Sequence, residues 1–357
     1  MNRFTNLALA ASLGTMLAAG HALAAVIPVD DADDLQAAID GATAGDTIIV
    51  GPGTYDPIVM DKQLTLLGAK AGMDACGRDD ASESVIADTG TLIELRNGSA
   101  GSVIDGFELS GGTAQLVSTS GPIDDVQILN NRFVGFSGGG IFLNDSGEDI
   151  TIDQNLIDGT SKTGGGGILH LDTDPFDGMH ITNNCVSNGA TGTGLFSDGN
   201  RNVGVSATRA PLLSGNVFDG NDTGANLGSR SFETAVISGN TFSNNAFDGL
   251  QGGMKDSTII VNSFIGNGRS GLALTSFGNT NAARGAQNNA ISQNCFQNNG
   301  FVNDGEGVFF SSGQAAGTIS TNRLNGNNIS GNNVGASYGG TESPSGDFMK
   351  DCRVVVA

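Results

Sequence analysis

The sequence predicts an all-β solenoid, a parallel β-helix. Three observations predict it: a phrase recurring at solenoid spacing, a second apolar pulse of strand length beside it, and a composition suited to stacked bends. The phrase is an aliphatic residue, two others, an asparagine, one more residue and an apolar residue. It occurs at Ile128-Asn131-Phe133, Ile152-Asn155-Ile157, Ile181-Asn184-Val186, Leu213-Asn216-Phe218, Ile237-Asn240-Phe242, Ile259-Asn262-Phe264, Ile291-Asn294-Phe296 and Ile319-Asn322-Leu324. Successive asparagines lie 24, 29, 32, 24, 22, 32 and 28 residues apart. A unit of that size cannot bury its own apolar side, so it must stack on its neighbours.

The second pulse follows in Gly140-Ile-Phe-Leu143, Gly167-Ile-Leu-His-Leu171, Gly194-Leu-Phe196, Gly249-Leu250, Gly271-Leu-Ala-Leu274 and Gly307-Val-Phe-Phe310. Each is too short for a helix and alternates as a strand does. One unit therefore holds three short strands, which is one coil. The asparagine is assigned to a bend, where it tolerates left-handed backbone and its amide can bond up and down the stack. Coils about 4.8 Å apart would then carry an asparagine ladder from Asn131 to Asn322, with phenylalanines stacked beside it. The 18 Phe, the absence of Trp and the 56 Gly suit that arrangement. No segment after residue 45 keeps a helical period for three turns, which excludes leucine-rich and helical repeats.

Taken in order, residues 1–24 read as a cleavable signal peptide. Arg3 supplies the positive start, Leu7 to Ala19 the short apolar run, and Ala22-Leu23-Ala24 the small-x-small cleavage site. No later segment approaches a membrane-spanning length, so a secreted or periplasmic protein without a membrane span is expected. Residues 25–352 then form a single domain: an N-terminal cap at 30–45, coils over about 46–335, and a tail at 336–357. Asp31 to Asp40 reads as a helix with an Asp N-cap and a Leu35/Ala38/Ile39 face, ended by Gly41. A solenoid must cover its open end, and this helix is placed there. Gly45 to Tyr55 begins the first coil.

The stretch DLQAAIDGATAGDTIIVGPGTY (34–55) followed by LTLLGA (64–69) resembles the entry of the right-handed parallel β-helix superfamily, the pectate-lyase-like group. The resemblance spans residues 30–335 and implies a right-handed coil. It leaves the activity open, because that superfamily holds lyases, hydrolases, epimerases, adhesins and carriers.

Four cysteines in an exported chain admit two disulfides in three connectivities. Cys185 and Cys295 are four coils apart, about 19 Å at the sheet spacing, too far for a bridge. Cys295 with Cys352 and Cys76 with Cys185 is one arrangement; buried free thiols are the other.

Candidate chemistry lies on the strand of the Gly-apolar pulse. Aligning Ile141, Leu169, Leu195, Leu227, Leu250, Leu272 and Val308 as inward residues puts Phe142, His170, Phe196, Gln251, Ala273 and Phe309 outside, with Asn226 just before Leu227. A second outward row holds Asn144, Asp172, Asp198, Thr275 and Ser311. Aromatic faces beside amides and carboxylates suit a polysaccharide or surface glycan; the plain alternative is a solvated surface. The long coils gain residues at about 172–179, 198–211 and 275–289, all on one flank. Insertions on one side of a repeat fold often line its binding face. Arg201 and Arg284, carried by two of these loops, are assigned to substrate binding with Phe142, Asn144, Phe196, Asn226 and Gln251.

The net charge of −21 and the absence of a basic stripe exclude nucleic acid as a partner. Residues 201–284 are nearly neutral, with Arg201, Arg209, Arg230, Lys255, Arg269 and Arg284 against Asp219, Asp222, Glu233, Asp248 and Asp256. Lys255 and Arg230 each follow an outward position by four residues and are expected to stack on neighbouring coils. Such a pair resembles the acid–base equipment of β-helix polysaccharide lyases. There a base removes the proton α to a uronate carboxylate, and a cation or Ca²⁺ stabilises the carbanion. The carboxylate alternative groups His170, Asp172, Asp174 and Asp198 as a glycosidase centre. The chain lacks the Asn-x-Asp and Gly-Asp-Asp pattern of the hydrolases and the Asp-rich calcium signature of pectate lyases. The expectation is thus an exported monomer that binds, and by β-elimination cleaves, an acidic polysaccharide. A glycoside hydrolase is the second enzymatic choice, and a non-catalytic adhesin the alternative to both. Ca²⁺ is the cofactor this chemistry admits, with its ligands unassigned.

Overall fold

The computed structural model describes residues 24–79, 81–144, 147–171, 176–197, 209–227, 232–275, 286–300, 306–311, 322–332 and 334–338. The signal peptide assigned to residues 1–24 therefore lies almost wholly outside the described residues. Three long sheets, all parallel, run the length of the molecule with 12, 11 and 11 described strands. Each coil contributes one strand to each. Sheet 1 runs from Val26–Val29 to Arg323–Asn325, sheet 2 from Gly53–Tyr55 to Asn328–Ser330, and sheet 3 from Ile58–Met60 to Val334–Tyr338. The architecture is a right-handed parallel β-helix.

The asparagine phrase marks the bend between sheets 1 and 2. Asn131, Asn155, Asn184, Asn216, Asn240, Asn262 and Asn294 form one buried ladder. Each side chain bonds in both directions. Asn240 Nδ2 donates to Asn262 Oδ1 at 2.9 Å and to the carbonyl of Leu213 at 2.9 Å, while its Oδ1 accepts from Asn216 N at 2.9 Å. The carbonyl reached is that of the aliphatic residue opening the preceding phrase, so the two fixed positions of the phrase are hydrogen-bond partners across coils.

Three sequence expectations change here. Asn322 is not in this ladder; Asn294 donates to Asn327 Oδ1 at 3.0 Å, and Leu324 pairs in register with Ile291. The last phrase is thus Leu324-Asn327-Ile329, and Asn322 stacks instead on Asn289 at a different bend. The ladder asparagine is also not the left-handed residue. That conformation belongs to the residue before it: Asn130, Gln154, Asn183, Gly215, Gly239, Val261, Gln293 and Gly326. Turning the chain at the preceding residue frees the asparagine to point inward. Finally, the inward partner of Leu195 and Leu250 is Ala225, not Leu227, although Asn226 still faces outward between Phe196 and Gln251.

A second ladder, unread in the sequence, lines the bend between sheets 2 and 3: Asn221, Asn245, Asn267, Asn299 and Asn332. Between the ladders, Phe218, Phe242, Phe264 and Phe296 stack face to face with centroids 5.1, 5.0 and 4.7 Å apart. Offset stacking of this kind adds to the area each ring buries. Sheet 3 then opens with a column of glycines. A Cβ on Gly194, Gly224, Gly249 or Gly271 would meet the carbonyl of the next glycine at 2.5, 2.4, 2.6 and 2.8 Å. Space beside the phenylalanines, not a bend, demands glycine there.

At the N-terminal end, helix α1 (Leu35–Gly41) begins three residues later than Asp31 would give, with Asp34 as its N-cap accepting from Ala37 N. Lys62 Nζ donates to the carbonyls of Ile39, Asp40 and Ala42, and Gln36 exchanges hydrogen bonds with Val59 on the first strand of sheet 3. The helix thus covers the edge it was placed against, and its last carbonyls receive a cation as the helix dipole favours.

Residues 68–79 lie along the bend between sheets 1 and 2, where Ala75 N donates to the carbonyl of Gln154 at 3.0 Å and Arg78 Nη1 to that of Asn130 at 2.9 Å. Cys76 and Cys185 form a disulfide with Cα atoms 5.7 Å apart. Arg78 joins the fully buried Glu83 at 2.9 Å, and Arg132 joins Glu108 at 3.2 Å. Burial pushes the Glu83 carboxyl up, against the pull of Arg78 and Arg132. No described cysteine is a free thiol; the second expected pairing involves Cys352, outside the described residues. No described helix is long and apolar enough to cross a membrane.

Candidate functional site

Strand alternation and coil register place one outward residue of sheet 3 above the next. Val117 pairs with Phe142, Phe142 with His170, His170 with Phe196, Phe196 with Asn226, Asn226 with Gln251, Gln251 with Ala273, and Ala273 with Phe309. Phe142, His170 and Phe196 touch edge to face, with centroids 4.1 Å and 5.1 Å apart. They form an aromatic band over three coils, each half-buried. Asn226 and Gln251 continue it as an amide band. Asn144, half-buried, sits two residues beyond Phe142 at the strand's end, its backbone N–H on Ser118 Oγ at 2.8 Å.

Beside the amide band, the bend from sheet 2 supplies an ion pair the sequence reading left out. Arg269 donates through Nε to Asp248 at 2.9 Å and through Nη2 to the same carboxylate, which is fully buried. Asp248 also accepts from Ser270 N at 3.0 Å. Arg269 Nη2 reaches Gln251 Oε1 at 3.2 Å. An arginine can only donate, so this contact fixes the amide with its oxygen toward Arg269, leaving Nε2 as the group offered outward. The Arg269 guanidinium lies 5.7 Å from the ring of Phe247, which is 40% exposed. The carboxyl of Asp222 is pushed up by burial, with Arg269 opposing. Farther along this edge, Lys162 is buried, and its Nζ donates to the carbonyls of Gly138 and Gly165. Burial lowers its pKa.

Among the described residues, the in-register neighbours of Lys255 are Glu233 and Gln287. Its Nζ lies 3.9 Å from the Glu233 carboxylate and 3.7 Å from that of Asp256. It belongs to a separate two-stranded sheet, Phe232–Glu233 with Met254–Lys255, that follows the sheet 3 strands on the coils of Asn226 and Gln251. Arg230, Asp172, Asp198, Arg201 and Arg284 lie outside the described residues, as does Asp174. The three insertions nevertheless share their anchor points: each leaves a sheet 3 strand (Gly167–Leu171, Thr193–Ser197 or Leu272–Thr275) and re-enters sheet 1 (His180–Thr182, Leu212–Ser214 or Ala290–Ser292). His180 is exposed on the face of sheet 1, away from the row. Among the described residues, no group of three or more His, Cys, Asp or Glu could hold a metal ion.

No curated protein matches the chain in sequence. Among solved structures, the chain is similar to the Azotobacter vinelandii mannuronan C-5 epimerase AlgE6 A-module, with TM-score 0.60 and 15% identity over 90% of this chain and 95% of that one. It is similar to the periplasmic alginate epimerase AlgG, with TM-score 0.53 and 13% identity over 90% and 82% of the two chains. The Dettilon tailspike protein gp208 gives TM-score 0.52 and 12% identity over 88% and 68%. At these identities the likeness is one of fold. A family model described as the right-handed beta helix region matches residues 166–346, just over half of the sequence. With three parallel sheets, two asparagine ladders and that match, the chain belongs to the right-handed β-helix family.

Proposed function

We propose that this is an exported protein that binds a polysaccharide lengthwise along the outer face of sheet 3 and cleaves uronate-containing chains by β-elimination. The observation that carries binding is the unbroken outward row from Phe142 through His170 and Phe196 to Asn226 and Gln251. Coils repeat every ~4.8 Å, close to the length of one pyranose unit, so successive sugars meet successive coils. Aromatic faces take the apolar side of a ring, and the Gln251 amide, oriented by Arg269, donates to a sugar oxygen. Solved structures of the same fold include proteins named as alginate epimerases and a tailspike, which supports a polysaccharide ligand. In the cleavage step His170 takes the proton α to the uronate carboxylate, the C4–C5 double bond forms as the C4–O bond breaks, and the departing sugar oxygen takes a proton from water.

A second reading is a non-catalytic glycan binder that acts as an adhesin. It is favoured by the pairing of the described cations nearest this face. Lys255 faces Glu233 and Asp256, and Arg269 is tied to Asp248, so neither is a bare cation for a carbanion. One experiment decides between them. The mature protein is incubated with alginate, pectate, chondroitin and hyaluronan, with and without Ca²⁺. Binding, absorbance of unsaturated uronates, and inversion at C-5 by NMR are then followed. Unsaturated product that disappears in His170→Ala establishes cleavage, whereas binding without product establishes the adhesive reading. Phe142→Ala with Phe196→Ala should weaken binding at least about tenfold, since stacking on each ring is worth on the order of 1 kcal/mol. Wild type that binds none of these, nor neutral glycans, rejects the glycan reading.

A further inference from the structure

Asp46 is a carboxylate at the start of the first coil, 4% exposed. It accepts three hydrogen bonds: from Ala25 N at 2.6 Å, Thr43 N at 2.8 Å and Thr43 Oγ1 at 2.8 Å. These bonds hold its pKa below the ordinary carboxylate value, the Thr43 backbone N–H first and the Ala25 N–H second. All three donors are neutral in the unprocessed chain. No ion pair reaches Asp46 among the described residues, and Lys62, on the adjoining coil, is engaged with the carbonyls of Ile39, Asp40 and Ala42.

The sequence places a small-x-small cleavage site at Ala22-Leu23-Ala24, so processing there makes Ala25 the first residue. We infer that Asp46 is the receptor for the α-ammonium group that processing creates on Ala25, and that removal of the leader completes the N-terminal end of the solenoid. In the cleavage step water adds across the Ala24–Ala25 amide. The C–N bond breaks, Ala24 leaves as a carboxylate, and the Ala25 amine takes up a proton. The nitrogen already 2.6 Å from Asp46 then carries a positive charge where it had one neutral N–H. Ala25 is held there from its other side as well, because its carbonyl accepts from Thr47 N at 2.8 Å. Val26–Val29 follows directly as the first strand of sheet 1, so the charge pair pins the outermost strand of that sheet.

The sign of the pH dependence follows. A free α-amine titrates near pH 7.7–8.0, and pairing with Asp46 raises that value in the folded chain. The stabilisation is therefore complete from above the carboxylate range up to about pH 7.7; it is lost as pH rises through the raised amine value and again in acid as Asp46 is protonated. The inference rests on the export reading and is independent of glycan binding.

The test has two parts. N-terminal sequencing of the exported protein should begin at Ala25, and a different first residue overturns the inference through its export premise. Thermal unfolding then compares the chain beginning at Ala25 with the same chain preceded by Gly-Ser, and with the Ala25 chain acetylated on its α-amine. At pH 6 the free Ala25 chain should unfold several degrees higher than both. That difference should vanish at pH 10 and in the Asp46→Asn background, where no charge pair can form. Equal unfolding temperatures at pH 6 overturn the charge pair even if processing occurs at Ala25.

Discussion

Val261 occupies the bend position that Asn130, Asn183, Gly215 and Gly239 fill on other coils, with φ at 58°. A β-branched residue there is strained, by about 1–2 kcal/mol. Its side chain is 48% exposed, so nothing packed would be lost on replacement. Val261→Asn should therefore raise stability by about 1 kcal/mol, read as a higher urea midpoint with unchanged slope. The next residue behaves oppositely. Asn240, the equivalent of Asn262 one coil earlier, satisfies Asn216 N, Asn216 Nδ2 and the Leu213 carbonyl from inside the core. Asn240→Leu keeps the branching at Cγ but strands those groups. At about 1–3 kcal/mol for each unsatisfied buried group, a loss of about 4 kcal/mol is expected by denaturant titration. A loss under about 1 kcal/mol would mean the ladder is decoration.

At the scale of elements, the glycine column and the phenylalanine stack are two halves of one fit. A methyl group on Gly249 would lie 2.6 Å from the Gly271 carbonyl and 3.0 Å from Phe264. Gly249→Ala should cost about 1–3 kcal/mol by overpacking, while Gly165→Ala, with nothing within 4 Å, should cost little by comparison. Lower thermal midpoints in both would deny the steric account. Asparagine spacing also carried more than one column. Asn216-x₄-Asn221, Asn240-x₄-Asn245, Asn262-x₄-Asn267 and Asn294-x₄-Asn299 are visible in the chain, and each marks the two bends bracketing a sheet 2 strand. That signal was available and unused. The same regularity set the last copy at Asn322 instead of Asn327, because two successive bends of a coil can both carry asparagine.

The segment 68–79 acts on the molecule as a whole. Its disulfide spans 109 residues and ties the first coils to the coil of Cys185. Repeat proteins lose stability one interface at a time, so a cross-link over several coils couples units that would otherwise open separately. Cys76→Ser with Cys185→Ser should cost about 2–5 kcal/mol, with unfolding becoming less cooperative. A single sharp transition unchanged in midpoint would show that the ion pairs of Arg78 and Arg132 suffice without the bridge.

The sequence by itself determined the coil. Its period, its strand-length pulses, the inward phenylalanines and the outward row from Phe142 to Gln251 all follow from residues within one repeat, and in-register stacking copies that order from coil to coil. Cys76 with Cys185 stood among the arrangements left after one distance was excluded. Only the tertiary structure decided which residues oppose one another between coils. Coil lengths vary, so a charge four residues past an aligned position has no fixed neighbour in the sequence. Lys255 therefore met Glu233, Arg269 met Asp248 and Gln251, and Asp46 met the nitrogen of Ala25. Apolar stacking is periodic and can be read from spacing, whereas electrostatic pairing depends on individual contacts across an uneven number of residues.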